Sequence, residues 1–176
     1  SDWNTWGTVS YRVPLVCGSN SVMLKYDSGD SGNINIDALT LVPKSASWLQ
    51  AENAVLSGGV QINCNHSGYV GTGFTDSWST AGAKASFTAN CEATGYYDLI
   101  VRYANGEASG RTLNLYVNRK FVQTLHFPVV SSADWNAWRE ISFSKILKLY
   151  KGINSIVLAY DNGNNGKLNI DSIAFQ

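Results

Sequence analysis

Between Ala83 and Ala89 apolar and polar residues alternate, with Ala83, Ala85, Phe87 and Ala89 set against Lys84, Ser86 and Thr88. A period of two puts successive side chains on opposite faces, as in a half-buried strand. Tyr97, Leu99, Val101 and Tyr103 repeat the pattern over 96–103, and Leu113, Leu115 and Val117 over 112–117. Asn118-Arg119 predicts a tight hairpin turn into a strand over 121–127. Three further runs, 139–144, 155–160 and 168–175, are each bounded by Gly, Asn or Asp. Upstream, Trp48 to Glu52 reads as an extended segment, Gly58-Gly59 as a turn into 60–64, and Gly68 to Gly73 as a Gly-punctuated loop around Tyr69 and Val70. Before these come β-rich runs at 8–13, 21–26 and 34–41, then a linker-like break at Pro43 to Ser47. No window holds a helical period beyond about a turn and a half. About eight to ten strands spaced roughly 8 to 12 residues apart predict an all-β sandwich.

The beginning of the chain nearly repeats its end. DWNTW at Asp2 to Trp6 aligns with DWNAW at Asp134 to Trp138, and GSNSVMLKYDSGDSGNINID at Gly18 to Asp37 aligns with GINSIVLAYDNGNNGKLNID at Gly152 to Asp171. Over Asp2–Leu15 and Gly18–Leu41 the identities are 6 of 14 and 11 of 24, so 17 of 38 in all. This is an internal repeat. Residues 44–133 have no counterpart upstream, so the pattern is the closing half of one unit (1–43), a linker (44–47) and one whole unit (48–176).

Composition narrows the function classes. The 176 residues carry 13 basic and 13 acidic side chains, only 15% charged in total, which leaves no electrostatic footprint for nucleic acid or an anionic membrane. Apolar runs of four or five residues are too short to span a bilayer. Sixteen glycines and six tryptophans suit tight turns with aromatic surface to spare. Cys17, Cys64 and Cys91 lack the C-x-x-C spacing of a zinc site. Cys64 and Cys91 could bridge neighbouring strands and leave Cys17 odd, which fits an extracellular setting. The acids are scattered over turns and strand ends rather than paired, as glycoside hydrolysis requires, and His66 and His126 have no nucleophile beside them in an elbow.

The pieces LQAENA (49–54), HSGYVGTGF (66–74), GYYDLIVRYANG (95–106), LNLYVN (113–118), DWNAW (134–138), KGIN (151–154) and LNIDSIAF (168–175) together resemble carbohydrate-binding module family 35, a relative of family 6. The likeness covers 48–176, and residues 1–43 resemble the second half of another such module. It implies a jelly-roll β-sandwich of two antiparallel sheets that binds an oligo- or polysaccharide, hydrolyses nothing, is secreted, and is attached to a glycoside-active enzyme. It also implies a structural calcium near the chain ends, with Glu52, Asp171 and Gln50 as the matching residues. Gln50 and Glu52 stand two apart and so project to one side of a strand, as a hard cation seeking six to eight oxygens needs.

For the sugar, the resemblance places Trp135 at the exposed loop position, where an indole stacks on a pyranose face, and Trp138 under the sheet. Tyr69 and Phe74 match the first long loop that supplies a second ring. Asn165, in DNGNNG, is the nearest match to the amide of the last loop, and Asp76 is a further acceptor for hydroxyls. Family members take uronates, galactans, mannans or α-glucans; scarcity of basic residues favours a neutral glycan here, with a uronate held through a second calcium left open. A protein-binding or adhesion sandwich is the rival function. Residues 1–43 lack a first loop and any equivalent of Glu52, and so form no site alone. Disorder, packing on the second unit, and a strand-swapped homo-oligomer are the outcomes open to them.

Overall fold

A computed structural model describes residues 3–9, 11, 21–40 and 47–176 of the chain. It divides into two compact units, Ser1–Val42 and Pro43–Gln176. In the second unit eleven strands are formed: β1 (Ser47–Gln50), β2 (Val55–Ser57), β3 (Gln61–Asn63), β4 (Phe74–Asp76), β5 (Ala83–Cys91), β6 (Gly95–Ala104), β7 (Arg111–Val117), β8 (Lys120–Phe127), β9 (Arg139–Leu149), β10 (Gly152–Tyr160) and β11 (Asn169–Phe175). A single 3-10 turn, Ala51–Asn53, follows β1.

The strands make two antiparallel sheets. One runs β3-β4-β11-β6-β9 with β1 added against β11, and the other runs β2-β5-β10-β7-β8. The alternation read from sequence is the alternation observed. Ala83, Ala85, Phe87 and Ala89 of β5, Leu99, Val101 and Tyr103 of β6, Leu113 and Leu115 of β7, and Ile156 and Leu158 of β10 are buried between the sheets. Each such leucine withdrawn from water stabilises the fold by about 1.5–3 kcal/mol. The β7–β8 connection is the predicted two-residue hairpin: Asn118 (φ 49°) and Arg119 (φ 68°) are both left-handed, the conformation whose twist matches the strands it joins.

The architecture is thus the expected all-β sandwich, with three differences in detail. The short strands β2 and β4 fall in stretches to which the sequence assigned no element, before Gly58 and after Gly73. Cys64, just beyond β3, is exposed and free, and Cys91 closes β5 in the other sheet, so no disulfide joins them. Thirdly, in the first unit the expected strands at 21–26 and 34–41 are absent over the described residues 21–40, as for Thr8, Val9 and Tyr11; the rest of those spans lies outside the described residues. A strand needs a partner for its backbone groups, and the counterparts of 21–26 and 34–41 in the second unit, within β10 and β11, pair with β5, β7, β6, β4 and β1.

Strand β11 lies at the centre of the first sheet, and its whole length is buried. Along one edge lies β6; along the other, β4 pairs at Ile170 and β1 from Ser172 onward. Between these two partners the register with β6 skips a residue, Asp171. A bulge re-aims its residue's side chain, and here the residue is an acid in the middle of a buried strand.

Candidate functional site

Two groups of side chains come together near this bulge, one suited to a cation and one to a ligand.

In the first, Asp171 is fully buried. Its Oδ1 accepts the Val70 amide at 3.1 Å, and its Oδ2 lies 2.8 Å from Arg102 Nε. The Arg102 contact is a close ion pair whose alignment is too poor for a hydrogen bond, since both atoms remain without one. Burial pushes the Asp171 carboxyl above its ordinary range, although the Val70 amide and Arg102 pull it down. Glu52, on the 3-10 turn, accepts Thr72 N at 2.8 Å and Thr72 Oγ1 at 3.2 Å through Oε1. Gln50 pairs with Ser172 across β1 and β11, one residue from the bulge. Gln50 Oε1, Glu52 Oε2 and Asp171 Oδ2 are all buried without a hydrogen-bond partner. A Cβ on Gly71 would meet Glu52 Oε1 at 2.4 Å and Gln50 Oε1 at 3.3 Å, so the loop backbone closes over those oxygens. Three buried oxygens without a hydrogen bond, two of them from carboxylates and one of these ion-paired with Arg102, are of the kind a hard cation binds.

The second group lies at the loop end of the sandwich, around a cavity of about 210 Å³. His66, Asp76, Glu107, Trp135, Lys167 and Asn169 contribute to its wall. Trp135 is half-buried, and its indole lies against Gly106 at the exit of β6: a Cβ there would come within 2.9 Å of three ring atoms. Glycine is needed at that position for close approach rather than for a special φ. The His66 ring stands 6.3 Å from the indole at 29°. Asp76, at the end of β4, accepts Asn63 Nδ2 at 2.9 Å and Ser77 Oγ at 3.0 Å. Glu107 accepts Arg111 Nη2 at 2.6 Å, which offsets its charge. Lys167 is exposed and left-handed (φ 52°), with its amide bonded to the carbonyl of Trp78 at 2.9 Å.

Of the residues expected to hold a sugar, Trp135 and Asp76 share this cavity. Phe74 is a correction: it is fully buried, with its ring 5.3 Å from Trp138 and 5.8 Å from His66, and it supports the rings above it without reaching solvent. Tyr69 is half-buried against Phe74 at 5.6 Å and lies outside the cavity lining. Asn165 also lies outside it. Its Oδ1 accepts Thr112 N at 2.7 Å and Thr112 Oγ1 at 3.0 Å while its Nδ2 donates to Gly110 O at 3.1 Å, so both ends of the amide fasten the last loop to β7. Trp138 is half-buried rather than central; its Nε1 donates to Ser67 O at 2.8 Å, which holds the first loop. The residues that sequence reasoning missed are His66, Glu107 and Asn169. Asn169 carried a signal, because the triplet Asn-Ile-Asp recurs as Asn35-Ile36-Asp37 in the first copy.

Among the described residues no group of three or more His, Cys, Asp or Glu side chains converges, so any cation here relies on the Gln50 amide beside two acids. Among the same residues no helix is long and apolar enough to cross a membrane.

A sequence profile of carbohydrate binding module (family 35) matches residues 47–176. The chain is 37% identical over 177 residues to a 1,6-alpha-glucosyltransferase of Sporosarcina globispora, a match that takes in 98% of this chain and 14% of that protein. It is therefore similar to about one seventh of that enzyme's length. Among solved structures, a family 35 carbohydrate binding module from Clostridium thermocellum superposes with a TM-score of 0.67 at 26% identity, covering 74% of this chain and 97% of that one. A Paenibacillus sp. cycloisomaltooligosaccharide glucanotransferase complexed with cycloisomaltoheptaose superposes with a TM-score of 0.65 at 35% identity, covering 74% of this chain and 18% of that one.

Proposed function

We propose, from the premise that this chain belongs to carbohydrate-binding module family 35, that residues 47–176 bind an α-1,6-linked glucan without cleaving it. The module is an accessory part of a secreted enzyme acting on such glucans. The observation that carries this reading is the cavity in which a half-exposed indole, Trp135, stands beside the polar groups of Asp76, Asn169 and His66. An aromatic plane accepts the C–H face of a glucose ring, while carboxylate and amide oxygens take its hydroxyl protons. Asp76 on the wall, with Glu107 already paired to Arg111 and a single exposed lysine, leaves no surplus of positive charge for a uronate and favours a neutral glycan. The linkage is suggested by relatives named for 1,6-α-glucosyl transfer and for cycloisomaltooligosaccharides.

Calcium belongs to the same proposal. Gln50, Glu52 and Asp171 would hold it, and its charge would neutralise the buried carboxylates and tie the opening strand β1 to the closing strand β11. Arg102 then completes the neutralisation of Asp171 from the β6 side.

Isothermal titration of the 176-residue chain with isomalto-oligosaccharides, with a uronic acid oligomer as comparison, tests the ligand class. Saturable binding of the former that Trp135→Ala abolishes is expected. Binding of neither, or equal binding by the Trp135→Ala variant, rejects the reading in favour of a protein-binding sandwich, and release of reducing sugar rejects its non-catalytic part.

A further inference from the structure

The first unit keeps local structure from the repeat, while its described residues form no strand. In the second unit the turn after β10 is closed by Asn164 N donating to Asp161 O at 3.0 Å and by Asp161 N donating to Asn164 Oδ1 at 2.9 Å. In the first unit the aligned residues do the same: Asp30 N donates to Asp27 O at 2.9 Å and Asp27 N to Asp30 Oδ2 at 2.6 Å. Left-handed pairs follow in both, Gly166 and Lys167 (φ 40° and 52°) and Gly32 and Asn33 (φ 58° and 55°). A Cβ on Gly166 would meet the Tyr160 ring at 2.8 Å, and one on Gly32 would meet the aligned Tyr26 ring at 2.8 Å.

What differs is the partner. Gly166 and Lys167 are seated on the Trp78 carbonyl, which belongs to the opening half of the module, 47–133. Nothing in residues 1–42 aligns with that half. The apolar residues that it covers are accordingly exposed: Leu24 is 62% exposed against 0% for Leu158, Ile34 73% against 1% for Leu168, and Ile36 58% against 0% for Ile170. Isolated apolar residues on a surface are ordinary, but a set that reproduces a core face position by position marks a missing complement.

We infer that residues 1–42 are the closing half of a second family 35 module, which folds on an opening half equivalent to residues 47–133 but separate from it. In the second unit β9, β10 and β11 already occupy the place that a closing half would take on residues 47–133. The completed module would present Trp3 and Asn35 where the second unit presents Trp135 and Asn169, and Asp37 where it presents Asp171. The protein would then engage a glucan at two sites in tandem, and the linkage of two modules raises avidity without any new contact. The glucan part of this inference rests on the function proposed above; the folding part does not.

The test joins a duplicate of residues 47–133 to the amino terminus of the full 176-residue chain. Amide exchange over residues 21–40 is expected to slow by about a hundredfold or more relative to the unextended chain, as fraying segments become part of a cooperative unit, and Trp3 and Trp6 should lose access to iodide quenching. Unchanged exchange over 21–40 overturns the inference whether the added half folds or not. Gly32→Val in the extended chain should abolish the protection; protection that survives it would mean unspecific collapse and also overturns the inference. The unextended chain should sediment as a monomer at all concentrations, whereas a dimer that protects residues 21–40 would assign the complement to a second copy and contradict the separate opening half. Two equivalents of isomalto-oligosaccharide per extended chain, one lost with Trp3→Ala, are expected. Protection with no sugar bound at either site would reject the glucan reading and leave the half-module standing.

Discussion

Trp135 and Phe74 belong to one connected aromatic group through His66, with rings 6.3 Å and 5.8 Å from the imidazole, yet they do opposite things. Phe74 is sealed below the group and Trp135 lines the opening above it. Truncating each should separate stability from binding. Phe74→Ala is expected to cost about 3–5 kcal/mol in urea unfolding. Trp135→Ala should leave stability nearly unchanged and abolish detectable binding, a cost of at least about 2 kcal/mol, or roughly thirtyfold and more in Kd at about 1.4 kcal/mol per decade. Gly106→Ala should mimic the second effect by displacing the indole, whose atoms lie 2.9 Å from where the new methyl would stand. A stability loss for Trp135→Ala as large as that for Phe74→Ala would place the indole in the core. A similar separation holds at Tyr116, whose hydroxyl donates to Asp161 at 2.6 Å. That bond holds the Asp161 carboxyl below its ordinary 3.8. A depressed carboxyl contributes stability above its unfolded pKa and loses it as pH falls through the folded value. Tyr116→Phe should therefore lower the unfolding midpoint at neutral pH, with the gap to the natural chain closing below about pH 4.

At the scale of elements, the bulge in β11 explains why an acid can occupy a strand whose every residue is buried. Asp171 leaves the ladder where β4 and β1 meet along one edge, and its Oδ2, like Gln50 Oε1 and Glu52 Oε2, is buried without a hydrogen bond. Calcium is expected to raise the melting temperature of the chain by several degrees, a chelator to reverse the gain, and Asp171→Asn to remove the response; a melting temperature indifferent to calcium contradicts the cation site. The long strands were legible because their period of two persists for seven residues or more, as in β5, β6 and β7. The short strands β2 and β4 were not, since local pattern cannot show which distant strand will pair with three residues. Gln50, Glu52 and Asp171 were singled out through a resemblance and the spacing of Gln50 and Glu52, whereas Arg102 was hidden: its partner Asp171 is 69 residues away, and only the register of β6 on β11 brings them together. Asn165 shows the opposite case, an amide in a polar loop that sequence offered to a ligand and the fold spends on Thr112 and Gly110.

Across the whole molecule, residues 47–176 form one family 35 sandwich, and a repeat of its closing part precedes it in the sequence. The sandwich seals its core between two sheets, and the cavity at its loop end is walled in part by His66, Glu107, Trp135 and Lys167, none of which belongs to that buried core. Residues 27–30 reproduce the turn after β10, and Leu24, Ile34 and Ile36 are exposed where the aligned Leu158, Leu168 and Ile170 are buried. The chain is similar to 14% of a 1,6-alpha-glucosyltransferase. The most direct measurement is calorimetric titration of isomalto-oligosaccharide into the 176-residue chain and its Trp135→Ala variant. One saturable site in the first and none in the second is the predicted result; heat of binding that is absent from both, or the same in both, contradicts it.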